Sequence, residues 1–246
     1  MKLLLTVLLI SLMPASLPAQ SADTTLANDI SGSSEKLRPV SPGSNHSLYK
    51  KMVLPVVLTS YGYIALGNEE LKEWDHVVKE KVWNAHPHQP NHFDDWLQYM
   101  PGFSVYVLNS LGCQGKNNLL DATRQYLLSS LAMTVVVQTT KRITGLRRPD
   151  GFGNNTFPSG HTAVAFVAAE FLNQEYKDRS VIIPAIGYTA AVTVGYMRLY
   201  NNRHWFKDII SGAGIGMGIT KLVYWYYPRI KQKFWPDKKH LPLPSF

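Results

Sequence analysis

Apolar residues recur along the chain in long stretches that are separated by short polar or charged segments. Six such stretches are evident, at about residues 52–66, 97–113, 125–140, 162–173, 181–199 and 208–227. Strand-like alternation is not evident, and valine runs such as MTVVVQTT lie inside helix-like windows. The charged segment at 68–83 also has helical character. The pattern predicts an all-α fold, a helical bundle of about six core helices.

The regions outside this helical domain differ from it in composition. Residues 1–19 combine one lysine, an apolar run and small residues, which is typical of a cleaved signal peptide. An N-terminal membrane anchor is the alternative. Residues 20–48 are polar and rich in Ser, Gly and Pro, which predicts a linker or loose arm. The helical domain then covers 49–228, and residues 229–246 form a basic and aromatic tail.

The apolar stretches approach the ~20 residues of a membrane span, but the mean hydropathy of the chain is slightly negative. Loop charges give two conflicting orientations. A cleaved signal followed by three crossings puts 141–150 in the cytoplasm, whereas a cytoplasmic tail puts 198–208 outside it. We therefore expect an exported bundle that is docked on the membrane or partly embedded in it. Glycines spaced four residues apart within 212–218 permit close helix packing in water or in lipid.

The chain carries a formal net charge of +8, with 25 Lys and Arg against 17 Asp and Glu. The cations fall into clusters, notably 141–148 and 221–239, rather than along one even face. Such clusters favour a phosphorylated substrate or an anionic membrane surface over nucleic acid. The single cysteine, Cys113, excludes an intramolecular disulfide and is interpreted as a packed small residue.

Two histidines stand in patterns that suit catalysis. His204 and Asp208 are four residues apart, so a helix would place them on one face, where the carboxylate can orient the imidazole. His161 follows Ser159 and Gly160 at the start of an apolar helix, where free N–H groups can bind an anion and the imidazole can donate a proton. Taken singly, each pattern also fits an ordinary helix start.

Several cations lie close to these histidines in the sequence: Lys141, Arg142, Arg147, Arg148 and Arg198. Arginine offers a planar fork that matches phosphate oxygens, and lysine offers a point charge. A solvated basic loop would explain the first four equally well. Together with the two histidines, however, they supply what phosphoryl transfer through a covalent intermediate requires, without a metal.

The chain resembles the type 2 phosphatidic acid phosphatase family, which is related to bacterial class A acid phosphatases and vanadium haloperoxidases. The family pattern is K-x6-R-P, then P-S-G-H, then S-R-x5-H-x3-D. It reads here as KRITGLRRP at 141–149, PSGH at 158–161 and MRLYNNRHWFKD at 197–208. The resemblance extends over about 50–228, so that 49–228 would be a phosphatase helical domain with the active site at one end of the bundle.

The resemblance implies a role for each matching residue and no cofactor. His204 would be the nucleophile that forms a phosphohistidine, Asp208 would orient it, and His161 would protonate the leaving group and then activate water. The phosphate would be bound by five further residues: Lys141, Arg148, Ser159, Gly160 and Arg198. Arg142 and Arg147 have no place in the pattern. Met197 stands where the family usually has serine, which predicts weaker phosphate binding or altered specificity.

A second polar cluster, AHPHQPNHFDDW at 85–96, holds ligand types that suit a transition metal: His86, His88, His92, Asp94 and Asp95. Prolines interrupt any helical face there, so metal binding is the less favoured interpretation. We expect this segment, with Trp83, Trp96 and Tyr99, to border the substrate entrance or a membrane surface.

The leading hypothesis is an exported, metal-independent phosphatase that acts on a lipid phosphate or a lipid-linked (pyro)phosphate. It would lie on the periplasmic side of the inner membrane or in the periplasm, against a membrane surface. The alternatives are a soluble nonspecific acid phosphatase, a vanadium haloperoxidase and a phosphate- or headgroup-binding protein without turnover. The oligomeric state does not follow from the sequence.

Overall fold

The computed structural model describes residues 45–85 and 88–234, and within these ranges it contains helices and loops but no strand. Eight α-helices follow one another: α1 Asn45–Gly67, α2 Glu69–Lys79, α3 Phe93–Leu97, α4 Met100–Ser110, α5 Leu119–Thr144, α6 Gly160–Tyr176, α7 Ile182–Tyr200 and α8 Phe206–Phe234. A single π-helical turn, Glu80–Asn84, extends α2. The predicted all-α fold is confirmed. Helix α1 starts at Asn45, inside the expected linker.

The expected signal peptide at 1–19 lies outside the described residues, as do residues 20–44 of the expected linker, His86 and residues 235–246 of the tail. The six predicted apolar stretches correspond to α1 and α4–α8, and the charged segment at 68–83 corresponds to α2 and its π-helical turn.

Helix α6 lies at the centre of the bundle and is buried along nearly its whole length. Its small side chains, which include Ala163, Ala165 and Ala169, are fully buried and let the neighbouring helices approach closely. Helices α4, α5, α7 and α8 all contact it. The amino end of α6 is therefore surrounded by the loops that connect the neighbouring helices.

Glycines on α8 explain how it packs between two partners. A Cβ on Gly216 would lie 2.5 Å from the carbonyl oxygen of Ala163 in α6, and one on Gly214 would lie 2.7 Å from that of Pro55 in α1. Only glycine permits such close backbone approach. Gly212 repeats the α6 contact and Gly218 the α1 contact, so the predicted four-residue spacing serves two helix interfaces at once.

Local signals fix where the helices near one end of the bundle stop and start. Helix α5 ends at Gly145, which adopts φ 54° in the left-handed region. Helix α6 begins after Ser159, whose side chain accepts a hydrogen bond from the backbone N–H of Thr162. These boundaries bring the carboxyl ends of α1, α5 and α7 together with the amino ends of α6 and α8. We call this end of the molecule the site end.

The opposite end is held by a buried polar network. Glu170 accepts hydrogen bonds from Lys221 at 2.7 Å and Gln174 at 2.5 Å. Glu175 accepts one from Tyr224 at 2.6 Å and two from Asn117, at its backbone N–H and its side-chain amide. Buried carboxylates require such partners because an isolated charge is strongly destabilising away from water. We call this the far end; it contains the start of α1 and the end of α8.

Apolar side chains also cover the outer surface of the bundle. Large hydrophobic residues are exposed on α1, α5 and α7, among them Leu54, Val57, Leu127, Leu131, Val135, Ile186 and Val192. Such contiguous apolar faces are rare on monomeric proteins in water. By length and hydropathy, one helix of the described part of the chain, α7, could cross a membrane.

Candidate active site

His204 and Asp208 lie at the site end, in the turn before α8 and in its first turn. The imidazole Nδ1 is 3.3 Å from Asp208 Oδ2, and both side chains are buried. The four-residue spacing therefore produces the expected contact. Because Nδ1 faces the carboxylate, Nε2 is the ring nitrogen that can attack an electrophile.

Thr156 completes this pair, and sequence reasoning missed it. Its fully buried hydroxyl donates a hydrogen bond to Asp208 Oδ2 and lies 3.3 Å from His204 Nδ1. The backbone N–H of Trp205 donates to the same carboxylate oxygen at 2.9 Å. A single threonine in the polar loop before PSGH carries no periodicity or motif signal that could have identified it.

Burial determines the protonation state of His204. It lowers the pKa of the imidazole to about 4, and the hydrogen bond and charge of Asp208 oppose this effect only in part. The positive charges of Lys141 and Arg198 lower the pKa further. His204 is therefore neutral near pH 7, which is the form that a nucleophile requires.

Three cations surround the same space. Lys141, in the last turn of α5, is held by the carbonyl oxygens of Asn155 and Thr156. Arg148 donates from Nε to the Asn155 side chain at 2.9 Å. Arg198 is buried in the last turn of α7, and its Nε has no hydrogen-bond partner within residues 45–85 and 88–234. A buried donor of this kind fits an anionic ligand.

The amino end of α6 faces this group of cations. Ser159 is fully buried and caps the helix, and its backbone N–H donates to the carbonyl of Asp208 at 3.0 Å. A Cβ on Gly160 would lie 4.0 Å from the side chain of Lys141. The eight predicted site residues are therefore brought to one place, where a helix amino end and three cations can bind phosphate oxygens.

The segment at 88–97 forms part of the site, beyond the border role that the sequence suggested. Asp94, on α3, is fully buried and forms an ion pair with Arg198. The next carboxylate, Asp95, accepts a hydrogen bond from Nε2 of His161 at 2.9 Å. Trp96 is 77% exposed on the outside of the same turn. Sequence reasoning had noted both carboxylates without finding their partners.

The histidines of this segment do not assemble into a metal cluster among the described residues. His88 Nε2 contacts the carbonyl oxygen of Tyr200 at 2.6 Å and stacks on its ring. Asp94, Asp95 and His161 do place ligand atoms within 4.8 Å of one another. The guanidinium of Arg198 is paired with Asp94, however, and its charge disfavours a second cation there.

The remaining predicted positions lie at the edge of the site. Arg142 and Arg147 are exposed, and the carbonyl of Arg147 accepts a hydrogen bond from the Trp205 indole at 3.1 Å. Met197 is half-buried on α7 beside Arg198, and its side chain has no hydroxyl. Its effect on phosphate binding stays a prediction.

Comparison with known proteins agrees with this arrangement. Residues 122–232 match the model of the family described as the PAP2 superfamily. The predicted resemblance to type 2 phosphatidic acid phosphatases is thereby confirmed.

The chain is also similar in sequence to two curated proteins. Over 232 residues, or 91% of the chain, it is 32% identical to the lipid A 1-phosphatase of Porphyromonas gingivalis. The match covers 49% of that protein, so the chain spans about half the length of this relative. Over 86 residues it is 31% identical to a probable diacylglycerol pyrophosphate phosphatase of Schizosaccharomyces pombe, with 30% of each chain covered.

Two solved structures are also similar. Aquifex aeolicus LpxE matches 59% of this chain and 92% of its own, at 24% identity and a TM-score of 0.47. A transmembrane PAP2-type phosphatidylglycerolphosphate phosphatase of Bacillus subtilis matches 76% of this chain and 98% of its own, at 18% identity and a TM-score of 0.48.

Proposed function

We propose that this chain is a phosphatase that hydrolyses a phosphorylated lipid through a phosphohistidine formed on His204, without a metal ion. The observation that carries the proposal is the buried, neutral His204, oriented by Asp208 and surrounded by Lys141, Arg148 and Arg198. A protein that only bound phosphate would need the cations but not an oriented neutral imidazole.

In the first step, Nε2 of His204 attacks phosphorus and forms an N–P bond while the ester P–O bond breaks. His161 gives its proton to the departing oxygen, so the lipid leaves as an alcohol. The three cations and the amino end of α6 stabilise the charge on the equatorial oxygens. In the second step, water gives a proton to His161 and attacks phosphorus. The N–P bond then breaks, and inorganic phosphate and free His204 result.

A lipid is the favoured substrate class for two reasons. The P. gingivalis relative is named a lipid A 1-phosphatase, which makes a phosphate on a lipid A-type anchor the first candidate. The exposed apolar faces of α1, α5 and α7 would also place the site at a bilayer surface, where lipid phosphates are found. A soluble nonspecific acid phosphatase would leave these faces unexplained.

We further propose that the bundle is embedded in the membrane and that the site end is periplasmic. Cations outnumber carboxylates at the far end, where they include Lys50, Lys51, Lys116, Lys177, Arg179, Arg229, Lys231 and Lys233. Residues 229–239, in and after the last turns of α8, carry five Lys and Arg. Because basic segments next to a span favour the cytoplasm, this cluster supports a cytoplasmic far end. A cleaved leader would leave the start of α1 outside and thus favour the opposite orientation.

Single-cysteine labelling distinguishes the two orientations. In a Cys113→Ser background, Phe152→Cys places a thiol at the exposed site end, and Asp178→Cys places one at the far end. A small maleimide that does not cross the inner membrane should label position 152 in intact cells and position 178 only after permeabilisation. The reverse pattern would place the site in the cytoplasm.

The activity is tested with the purified full chain in detergent and EDTA. Release of phosphate is compared for a 1-phosphorylated lipid A-type anchor, phosphatidate, an isoprenoid pyrophosphate and a soluble aryl phosphate. We expect lipid turnover by the wild type and by Asp178→Asn, a change at the exposed far end, and none by His204→Ala. An acid-labile phosphoryl label should form on the wild type and on the control variant but not on His204→Ala. Equal rates for His204→Ala and the wild type would refute the mechanism.

A further inference from the structure

Two consecutive carboxylates on α3 contact two different members of the site. Asp94 is fully buried and pairs with Arg198. Asp95, whose side chain is 42% exposed, pairs with His161 at 2.9 Å and lies 3.9 Å from Arg198. The chain separations are 104 and 66 residues, respectively. One turn of a short helix therefore reaches both a predicted phosphate ligand and the predicted proton donor.

This turn is fixed to the site by amide hydrogen bonds. The backbone N–H of Asn91 donates to the side-chain oxygen of Asn201 at 2.9 Å, and the Asn201 amide donates back to the carbonyl of Asn91 at 2.7 Å. The same amide lies 3.3 Å from Asp94 Oδ1. Because Asn201 directly follows α7, the carboxylates of α3 are held at a defined distance from the site.

The contact with Asp95 decides how the imidazole of His161 is presented. Nε2 is 2.9 Å from Asp95 Oδ1, so Nδ1 is the ring nitrogen that can meet the departing oxygen of a substrate. The second oxygen of Asp95 lies 3.2 Å from His92 Nδ1. The charged groups that face His161 are therefore Asp95, Asp94 and Arg198.

Asp95 is ionised under ordinary conditions. Partial burial by itself would raise the pKa of this carboxyl, but the hydrogen bonds and charge of His161, the hydrogen bond of His92 and the charge of Arg198 outweigh burial and lower it. Burial and the charge of Arg198 lower the pKa of the His161 imidazole, and the hydrogen bond and charge of Asp95 oppose this effect. The charged form of His161 is the one that can donate a proton to a leaving group.

We propose that Asp95 is the positioning residue of the general acid: it holds Nε2 of His161, favours the imidazolium and directs Nδ1 to the departing oxygen. The proposal rests on the phosphatase function proposed above. A purely structural role fits Asp95 poorly, because an ion pair this exposed contributes little to stability. Asp94, which is fully buried, is the structural member of the two.

Leaving-group dependence tests the proposal in the detergent-solubilised full chain. During transfer to His204, an alkoxide needs a proton from His161, whereas nitrophenolate departs without one. Because general acid catalysis contributes about 100-fold or more, we expect Asp95→Asn to lower kcat/KM for an alkyl phosphate by about 10- to 100-fold. For p-nitrophenyl phosphate the expected loss is less than about threefold. The alkaline limb of the alkyl phosphate profile should also move to lower pH, since the imidazolium loses its anionic partner.

Two neighbours serve as matched controls. Asp94→Asn acts on Arg198, which would bind phosphate in both substrates, so its losses should be equal for the alkyl and aryl esters. Asp178→Asn, at the far end, should leave both values unchanged. In a His161→Ala background, Asp95→Asn should change kcat/KM by less than about twofold, since His161 is gone and the remaining contact of Asp95, with Arg198, is 3.9 Å long.

The outcomes separate this proposal from the one on which it rests. Equal losses for the two esters in Asp95→Asn, no loss at all, or a further loss in the His161→Ala background would each overturn the positioning role while the wild type remained active. Absence of phosphate release by the wild type itself would overturn the phosphatase function and this inference with it. Asp95→Ala, which removes the hydrogen bond as well as the charge, should show the same leaving-group dependence.

Discussion

Replacement of Thr156 by valine would remove one hydroxyl beside the His204–Asp208 pair while changing the shape of the site very little. Within the part of the chain that the structure describes, Asp208 Oδ1 has no partner, and Oδ2 is contacted by Thr156, by the backbone N–H of Trp205 and by His204. The substitution thus takes away one of three partners of a fully buried carboxylate.

The magnitude follows from the charge of the acceptor. A hydrogen bond to a charged group contributes about 1.5–3 kcal/mol, and each 1.36 kcal/mol of lost transition-state stabilisation lowers a rate about tenfold. If the lost contact acts on His204 in the transition state, kcat should fall by roughly 10- to 100-fold. KM should change little, because the backbone carbonyl of Thr156 that contacts Lys141 is retained.

The assay is steady-state lipid phosphate turnover by the full chain, together with thermal unfolding. Thr156→Ser keeps the hydroxyl and should retain kcat within about threefold. Thr220→Val is the second control: this buried threonine donates to the carbonyl of Gly216 at 2.9 Å on α8, away from the site, and its loss should leave kcat unchanged. Wild-type turnover by Thr156→Val, or equal losses in the valine and serine variants, would refute the reasoning.

Two further predictions concern packing and pH. Gly216→Ala should lower the free energy of unfolding by about 1–3 kcal/mol, because its Cβ would lie 2.5 Å from the backbone of Ala163. Gly67→Ala is the control. Open space surrounds its Cβ, so the free energy of unfolding should change by less than about 0.5 kcal/mol. Denaturation in detergent measures both. Burial lowers the pKa of His204 to about 4, and the neutral imidazole is the nucleophile. Protonation of His204 should therefore lower kcat/KM as the pH falls through about 4. An acid limb near pH 6.5, the ordinary imidazole value, would contradict this.

From the sequence alone, the helical class and the six core helices could be predicted, because each depends on local patterns. The candidate site residues were assigned from the family motifs that they match. Helix periodicity requires only neighbouring residues, and His204 and Asp208 lie within one turn of each other. The cap at Ser159 and the stop at Gly145 are likewise local choices of the backbone. The three motifs contain the eight candidate site residues that the structure brings together.

The tertiary structure decided which distant polar groups meet. Thr156 and Asp208 are 52 residues apart, Asp95 and His161 are 66 apart, and Asp94 and Arg198 are 104 apart. No periodicity connects such positions, since their contact depends on which helix ends lie side by side. That arrangement follows from close packing, in which glycines bring α8 against α6 and α1 and thereby gather separate loops at one end. The partners of a buried charge are determined by this packing because burial leaves it no water to bind.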